Sequence, residues 1–278
     1  MSLTLHNPHS VLAALDARPK DVVEVRLGSR NPGAAWAEVA DRARTHRIPV
    51  AVGRVEPTGR RRNSQREADS GRGGASAALV RERGDVSLEE LFAGKSEVGD
   101  RTSEVGKTAN STDLRPPTSD LRSPSCDGAF PLFLALDCLH DPHNVGAIFR
   151  TAAFFGVAGI VVTRDRSAPL NATVYDVASG GLEVVPFSVQ TNLRRALDAA
   201  KEHGVWVLGT SERAETDYTA VPLDRAWLLV VGNEESGMRR LTAEHCDMAC
   251  RIPPQSTVTS LNVSVAAGIL IARFAGGL

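Results

Sequence analysis

The sequence predicts an α/β protein, in which a mostly parallel sheet flanked by helices fills the C-terminal half and a small α/β unit precedes it. Three observations carry this. After Phe130 strand-like apolar runs alternate with amphipathic helical segments, the pattern of a parallel sheet covered on both faces. Between Val11 and Val55 a shorter set of the same two patterns recurs. The two are separated by KSEVGDRTSEVGKTANSTDLRPPTSDLRSPSCDG, Lys95 to Gly128, a low-complexity stretch with almost no bulky apolar residues. The expected division is therefore residues 1–93, a linker at 94–129, and residues 130–278.

In the first unit, VLAALDA and WAEVADRARTHR have helical spacing, while VVEVRLG and IPVAVGRV read as short buried strands. Thr58 to Gly74, TGRRRNSQREADSGRGG, has no apolar periodicity and is expected to be a mobile basic loop. In ASAALVRERGDVSLEELFAG, Ser87 with Glu90 three residues later forms a capping-box pattern, and this element is expected to complete the first unit. The linker buries too little apolar surface to offset the roughly 1–2 kcal/mol per residue that backbone ordering costs, so it is expected to be protease-sensitive.

In the second unit the strands are FPLFLALD, GIVVTRD, VWVLGTS and AWLLVVG, and the helices are VGAIFRTAAFFG, NLRRALDAAKEHG and NVSVAAGILIARFA. Ligands of such sheets sit at the C-terminal ends of the strands. Three loops there have unusual composition. In LHDPHNVGAIFRTAAFFG, Leu139 to Gly156, Asn144 is placed to cap the helix, and Val145, Ile148, Phe149, Ala152 and Phe155 share its packing face. Arg150 falls opposite that face, so it is either a solvated helix arginine or a functional one. LLVVGNEESGMRRL, Leu228 to Leu241, surrounds Glu234 and Glu235 with Gly232 and Gly237, which suits either a turn with exposed acids or close backbone approach to a ligand. In RIPPQSTVTSLNVSVAAGILIARF, Arg251 to Phe274, Ser260 and Asn262 precede an apolar helix, as caps or as part of a site.

Composition narrows the class. The 278 residues are 42% hydrophobic and 23% charged, enough for a sizeable core. With 32 Lys and Arg against 33 Asp and Glu, there is no bulk positive field, so any nucleic-acid site must be a local patch. The four cysteines, Cys126, Cys138, Cys246 and Cys250, are too few and too irregular for a disulfide framework and indicate a reducing compartment. Without a secretory leader pattern or an apolar run of membrane length, a soluble cytoplasmic protein is expected. His140, Asp141 and His143 have no second cluster at ligand spacing, so no metal is expected. A Rossmann-type methyltransferase would run its first strand into a Gly-rich turn, whereas here it runs into DCLHDPHNVG.

Taken together, NVGAIFR, VVGNEESGM and IPPQSTVTSLNVSVA resemble, in order and spacing, the three motifs of the SpoU/TrmH family of RNA 2′-O-ribose methyltransferases. DRSAPLNATVYDVASGG, Asp165 to Gly181, extends the resemblance over residues 131–278 and is most similar to the branch that methylates a guanosine of large-subunit ribosomal RNA. The resemblance implies a SPOUT-type α/β sheet with a C-terminal trefoil knot from Val230 to the last helix. It implies S-adenosylmethionine held by the backbone at Gly232, Ile252 and Leu261, with Thr210, at the end of the VWVLGT strand, a further candidate. It also implies RNA as substrate and a homodimer formed through the C-terminal unit.

For the chemistry, the resemblance places Arg150 against the ribose or its phosphate, with Asn144, Glu234, Ser260 and Asn262 completing the site. Arginine's pKa above 12 leaves two roles open, general base or orienting group for phosphate and developing alkoxide. The first unit resembles, more loosely, the ribosomal-protein-like RNA-binding domain of that branch, although HNPHSVLAAL lacks the expected glycine and GGASAALVRE the expected His-Gln pair. Other readings are transfer-RNA 2′-O-methylation, ribosomal methylation that confers antibiotic resistance, and a non-catalytic RNA-binding protein of ribosome assembly.

Overall fold

The computed structural model describes residues 1–53, 76–93, 130–233 and 237–276. The expected basic loop near 58–74, the linker at 94–129 and Glu234 lie outside them. The first unit is a four-stranded sheet in the order β1-β4-β2-β3, from β1 (Ser2–Leu5), β2 (Val22–Leu27), β3 (Val50–Val52) and β4 (Ala77–Arg81). Helices α1 (Pro8–Ala17) and α2 (Ala34–Thr45) pack on it. Asn7 starts α1, its side chain accepting from the His9 N–H at 2.9 Å, with Pro8 in the first turn where no N–H is needed.

The second unit is a seven-stranded sheet of entirely parallel pairs in the order β7-β6-β5-β10-β8-β11-β9. Its strands are β5 (Leu132–Leu136), β6 (Gly159–Thr163), β7 (Phe187–Gln190), β8 (Trp206–Thr210), β9 (Thr216–Asp217), β10 (Trp227–Val231) and β11 (Met248–Arg251). Its helices are α4 (Pro142–Phe154), α5 (Ala172–Ala178), α6 (Gly181–Val184), α7 (Leu193–Glu202), α8 (Arg240–Glu244) and α9 (Val263–Phe274). β5, β6 and β10 are buried along their whole length, which is why they read as continuous apolar runs.

Alternation along the strands sorts side chains between two cores. Leu132, Leu134, Leu136, Ile160, Val162 and Leu229 face α4, α5, α6 and α9. Phe133, Ala135, Val161, Leu228 and Val230 face α7 and the short helix α3 (Leu88–Phe92). The capping box at Ser87 and Glu90 is present. The partner of α3 differs from the expectation: its apolar face, Leu88, Leu91 and Phe92, packs on the seven-stranded sheet and not on the first unit. Phe92 meets Phe133 edge to face at 5.1 Å, and Val86 N–H donates to Phe187 O.

The first unit is joined to the second by polar contacts. Asp176 at the end of α5 accepts from the backbone N–H groups of His6 and Asn7 at 3.0 and 2.9 Å. Arg18 pairs with Glu183 of α6 through two bonds of 2.7 and 2.8 Å, and Arg83 donates to the carbonyls of Leu182 and Val185. α5 and α6 in turn pack against α4. Among the described residues no helix is long and apolar enough to cross a membrane.

Candidate functional site

β10 lies between β5 and β8, so the chain changes wings of the sheet there, the position at which such sheets hold ligands in a crevice at their strand ends. Register places Val231 beside Leu136 and Thr210 beside Cys250. Gly232, Thr210 and Ile252 therefore end three adjacent strands, β10, β8 and β11.

Gly232 is buried, and the Cβ of any other residue would collide with the backbone of Gly237 and Met238. The chain folds back on itself there: Asn233 and Gly237 exchange backbone hydrogen bonds of 3.1 and 2.9 Å, with Gly237 at φ +67°, a conformation that favours glycine. The Met238 side chain reaches over Gly209 of β8. Thr210 donates its hydroxyl to Val230 O at 3.0 Å, so it braces the strand end and keeps only acceptor capacity toward a ligand. Ile252 is half-buried against the core, whereas Ser260 and Leu261 are exposed at the approach to α9.

Asn144 corrects an expectation. Asp141 caps α4, accepting from His143 N–H at 2.9 Å with Pro142 following, so Asn144 is inside the first turn and buried. What it meets instead is α9. Asn262 caps that helix by accepting from Ser264 and Val265 N–H, and its Nδ2 donates to Asn144 Oδ1 at 3.0 Å. Two motifs far apart in sequence thus join through one amide pair. Arg150 is exposed six residues further along α4, about 9 Å up the axis and about 120° round from Asn144. No hydrogen bond or ion pair engages it among the described residues.

Sequence reasoning missed the polar contacts beneath the crevice. Asp137, at the end of β5, is fully buried and accepts two hydrogen bonds from Arg239, from Nε at 2.8 Å and from the backbone N–H at 3.2 Å, with Nη2 in ion-pair contact at 2.7 Å. Asn233 Nδ2 reaches Cys138 O and His140 Nδ1, both at 3.0 Å. Burial, reinforced by the Asp137 charge, pushes the Cys138 thiol up from its ordinary range. A charged residue closing an all-apolar strand, as in FPLFLALD, was the one available signal for Asp137. Asp141 and His140 are engaged in the cap and with Asn233, and among the described residues no group of three or more metal-ligating side chains converges.

The model of the SpoU rRNA methylase family matches residues 131–272. A 23S rRNA (guanosine-2′-O-)-methyltransferase of Pseudomonas putida is 33% identical over 96% of this chain and 93% of its own length. The enzyme of the same name from Neisseria meningitidis is 50% identical, over 51% of this chain and 57% of its own. The chain thus spans little more than half the length of several curated relatives that it matches. Among solved structures, the SpoU methyltransferase AviRb from Streptomyces viridochromogenes superposes with a TM-score of 0.69 at 17% identity, over 99% of this chain and 89% of that one. An AdoMet-bound rRNA methyltransferase from Sinorhizobium meliloti gives 0.67 at 18%, over 100% of this chain and 88% of that one.

Proposed function

Since the chain belongs to the SpoU rRNA methylase family, we propose that it transfers a methyl group from S-adenosylmethionine to the ribose 2′-OH of a guanosine in large-subunit ribosomal RNA. The observation that carries this is the Asn144–Asn262 bond, which joins the α4 and α9 motifs. The relatives' names supply the substrate.

The residues present suit the cofactor. Strand-end backbone at Gly232 and Ile252 offers polar edges, and the exposed apolar Leu261 and Val258 offer surface for a flat aromatic group. When bound, the cofactor supplies a methyl on sulfonium, which leaves sulfur as a bond forms to the ribose oxygen. This chain must then align the hydroxyl in line, and the hydroxyl proton passes to solvent water as the ether bond forms. Arg150 is the exposed cation on α4; as an acid too weak to give up its proton, it orients the ribose or phosphate and offsets charge growing on the oxygen. Asn144 and Asn262 hold α4 and α9 in register, and Glu234 and Ser260 complete the site.

The finer assignments follow the same reading. Residues 1–93 carry the RNA-holding unit, with α3 at their end docked on the second sheet, followed by a linker at 94–129 and a methyltransferase unit at 130–278, with the segment from Val230 to α9 forming the trefoil knot. A second copy of the chain covers Phe154 of α4, 83% exposed, and Val265 of α9, 51% exposed, on two helices that pack together. Ribosomal RNA as substrate sets the cytoplasm as its compartment. The decisive experiment is ribose-methylation mapping of ribosomal and transfer RNA from a deletion strain and its complemented counterpart. Loss of one guanosine mark in large-subunit RNA is expected; loss of a transfer-RNA mark alone overturns the substrate.

A further inference from the structure

We propose that Asp137 is a positioning residue for the cofactor, acting through Arg239 to hold the turn at Gly232 in its binding shape. The inference rests on the proposed function.

Asp137 belongs to two neighbours at once. Its backbone N–H donates to Val231 O at 2.9 Å, which fixes it beside the end of β10. Its carboxylate takes the backbone N–H and the guanidinium of Arg239, the second residue beyond the turn. The strand that enters the turn and the residue that leaves it are therefore held by one side chain. Met238, next to Arg239, is locked by this: its backbone lies where a Cβ of Gly232 would be, and its side chain covers Gly209. Asn233 ties the other foot of the turn to Cys138 O.

A buried carboxylate costs heavily unless it is paired, so the pairing is a strong constraint on where Arg239 can sit. Arg239 is less confined on its own account, with a side chain 43% exposed against 0% for Asp137. The constraint thus runs from Asp137 outward. Replacing the carboxylate by an isosteric amide keeps the volume but removes the charge and one acceptor oxygen, leaving Arg239 free to leave for water.

The experiment compares the full chain with D137N, R239K and the double variant D137N/R239Q by titration calorimetry with S-adenosylmethionine and by amide hydrogen exchange without it. R18M, which breaks a buried ion pair remote from the turn, controls for lost stability. D137N is expected to raise exchange at Gly237 and Met238 and to weaken binding by about tenfold, equivalent to about 1.4 kcal/mol. R239K, which keeps a cation for Asp137, loses less affinity than D137N, the double variant is no worse than D137N, and R18M binds normally. Unchanged exchange in D137N overturns the clamp. Raised exchange with unchanged affinity, or an equal loss in R18M, overturns its role toward the cofactor. A parent chain that binds no S-adenosylmethionine overturns the functional reading itself, and exchange then still reports whether the clamp exists.

Discussion

Asn262 fixes the orientation of Asn144: its Oδ1 must face the N–H groups of Ser264 and Val265 that it caps, so its Nδ2 must face Asn144 Oδ1, 3.0 Å away. Asn262→Asp separates the two duties. An aspartate still caps α9, keeping stability within about 0.5 kcal/mol of the parent, since Asp and Asn are comparable N-caps. It sets oxygen against oxygen at Asn144 and turns that amide over. Methyl transfer is expected to fall at least about tenfold, the cost of about 1.4 kcal/mol at the transition state; a fully active variant with normal melting would separate the amide pair from catalysis.

Arg150→Ala is expected to lower kcat by about a hundredfold or more while cofactor affinity stays within a few fold, in the range lost when one charge-stabilising donor is removed. The side chain is exposed and engages no described partner, so folding loses little. Single-turnover kinetics on transcribed RNA together with calorimetry give both quantities, and near-normal turnover would remove Arg150 from the mechanism.

Gly232→Ala should abolish detectable S-adenosylmethionine binding, because the added methyl displaces the backbone of Gly237 and Met238. Overpacking of this kind costs typically about 1–3 kcal/mol of stability, so the protein remains folded at 25 °C. Circular dichroism and calorimetry on one sample test it, and retained affinity would mean that the turn adapts.

Arg18→Met should destabilise the protein by about 3–5 kcal/mol, the usual cost of leaving a buried charge alone. Glu183 is 2% exposed, so water cannot replace the lost partner. Burial pulls the Arg18 guanidinium down, but the hydrogen bond and charge of Glu183 outweigh it and hold the group above its ordinary value. Adding Glu183→Gln should recover part of the loss in urea unfolding; no recovery would place the cost elsewhere.

Burial pushes the Cys246 thiol up to about 11 and the Cys250 thiol up to about 12. At pH 8 the thiolate that alkylating reagents need is then about one part in a thousand or less at either site. Iodoacetamide on the folded protein, read by peptide mass spectrometry, should leave both unmodified and modify them once urea is added. Modification of either in the folded state would contradict the raised thiols.

The sequence made the central strands legible because FPLFLALD and AWLLVVG are buried on both faces, and a short apolar run without polar interruption seldom arises in any other setting. Short or edge strands carried no such signal: β1 and β9 span only Ser2–Leu5 and Thr216–Asp217. The start of α4 was read late because Asp141-Pro142 and Asn144 are both acceptable cap signals within one turn, and only tertiary contact with Asn262 decides between them. Ser87 and Glu90 announced α3 but not its destination, since a capping box describes an end of a helix and says nothing of its apolar face. Asp137 and Arg239 are 102 positions apart, and no local pattern links them.

The docking of α3 changes what residues 94–129 can do. From Asp85, whose carboxylate accepts from Val189 N–H, the chain already runs along the seven-stranded sheet, and at Pro131 it re-enters that same sheet. Both flanks of 94–129, α3 and β5, are therefore anchored on one body, so the first unit does not hang from 94–129. The length of that segment does not set the reach or effective concentration of the first unit at the crevice, as a true interdomain tether would. Doubling it adds only about 0.6 kcal/mol of closure entropy, so the fold can admit large insertions there without altering the spacing between RNA-holding and methyl-transferring surfaces.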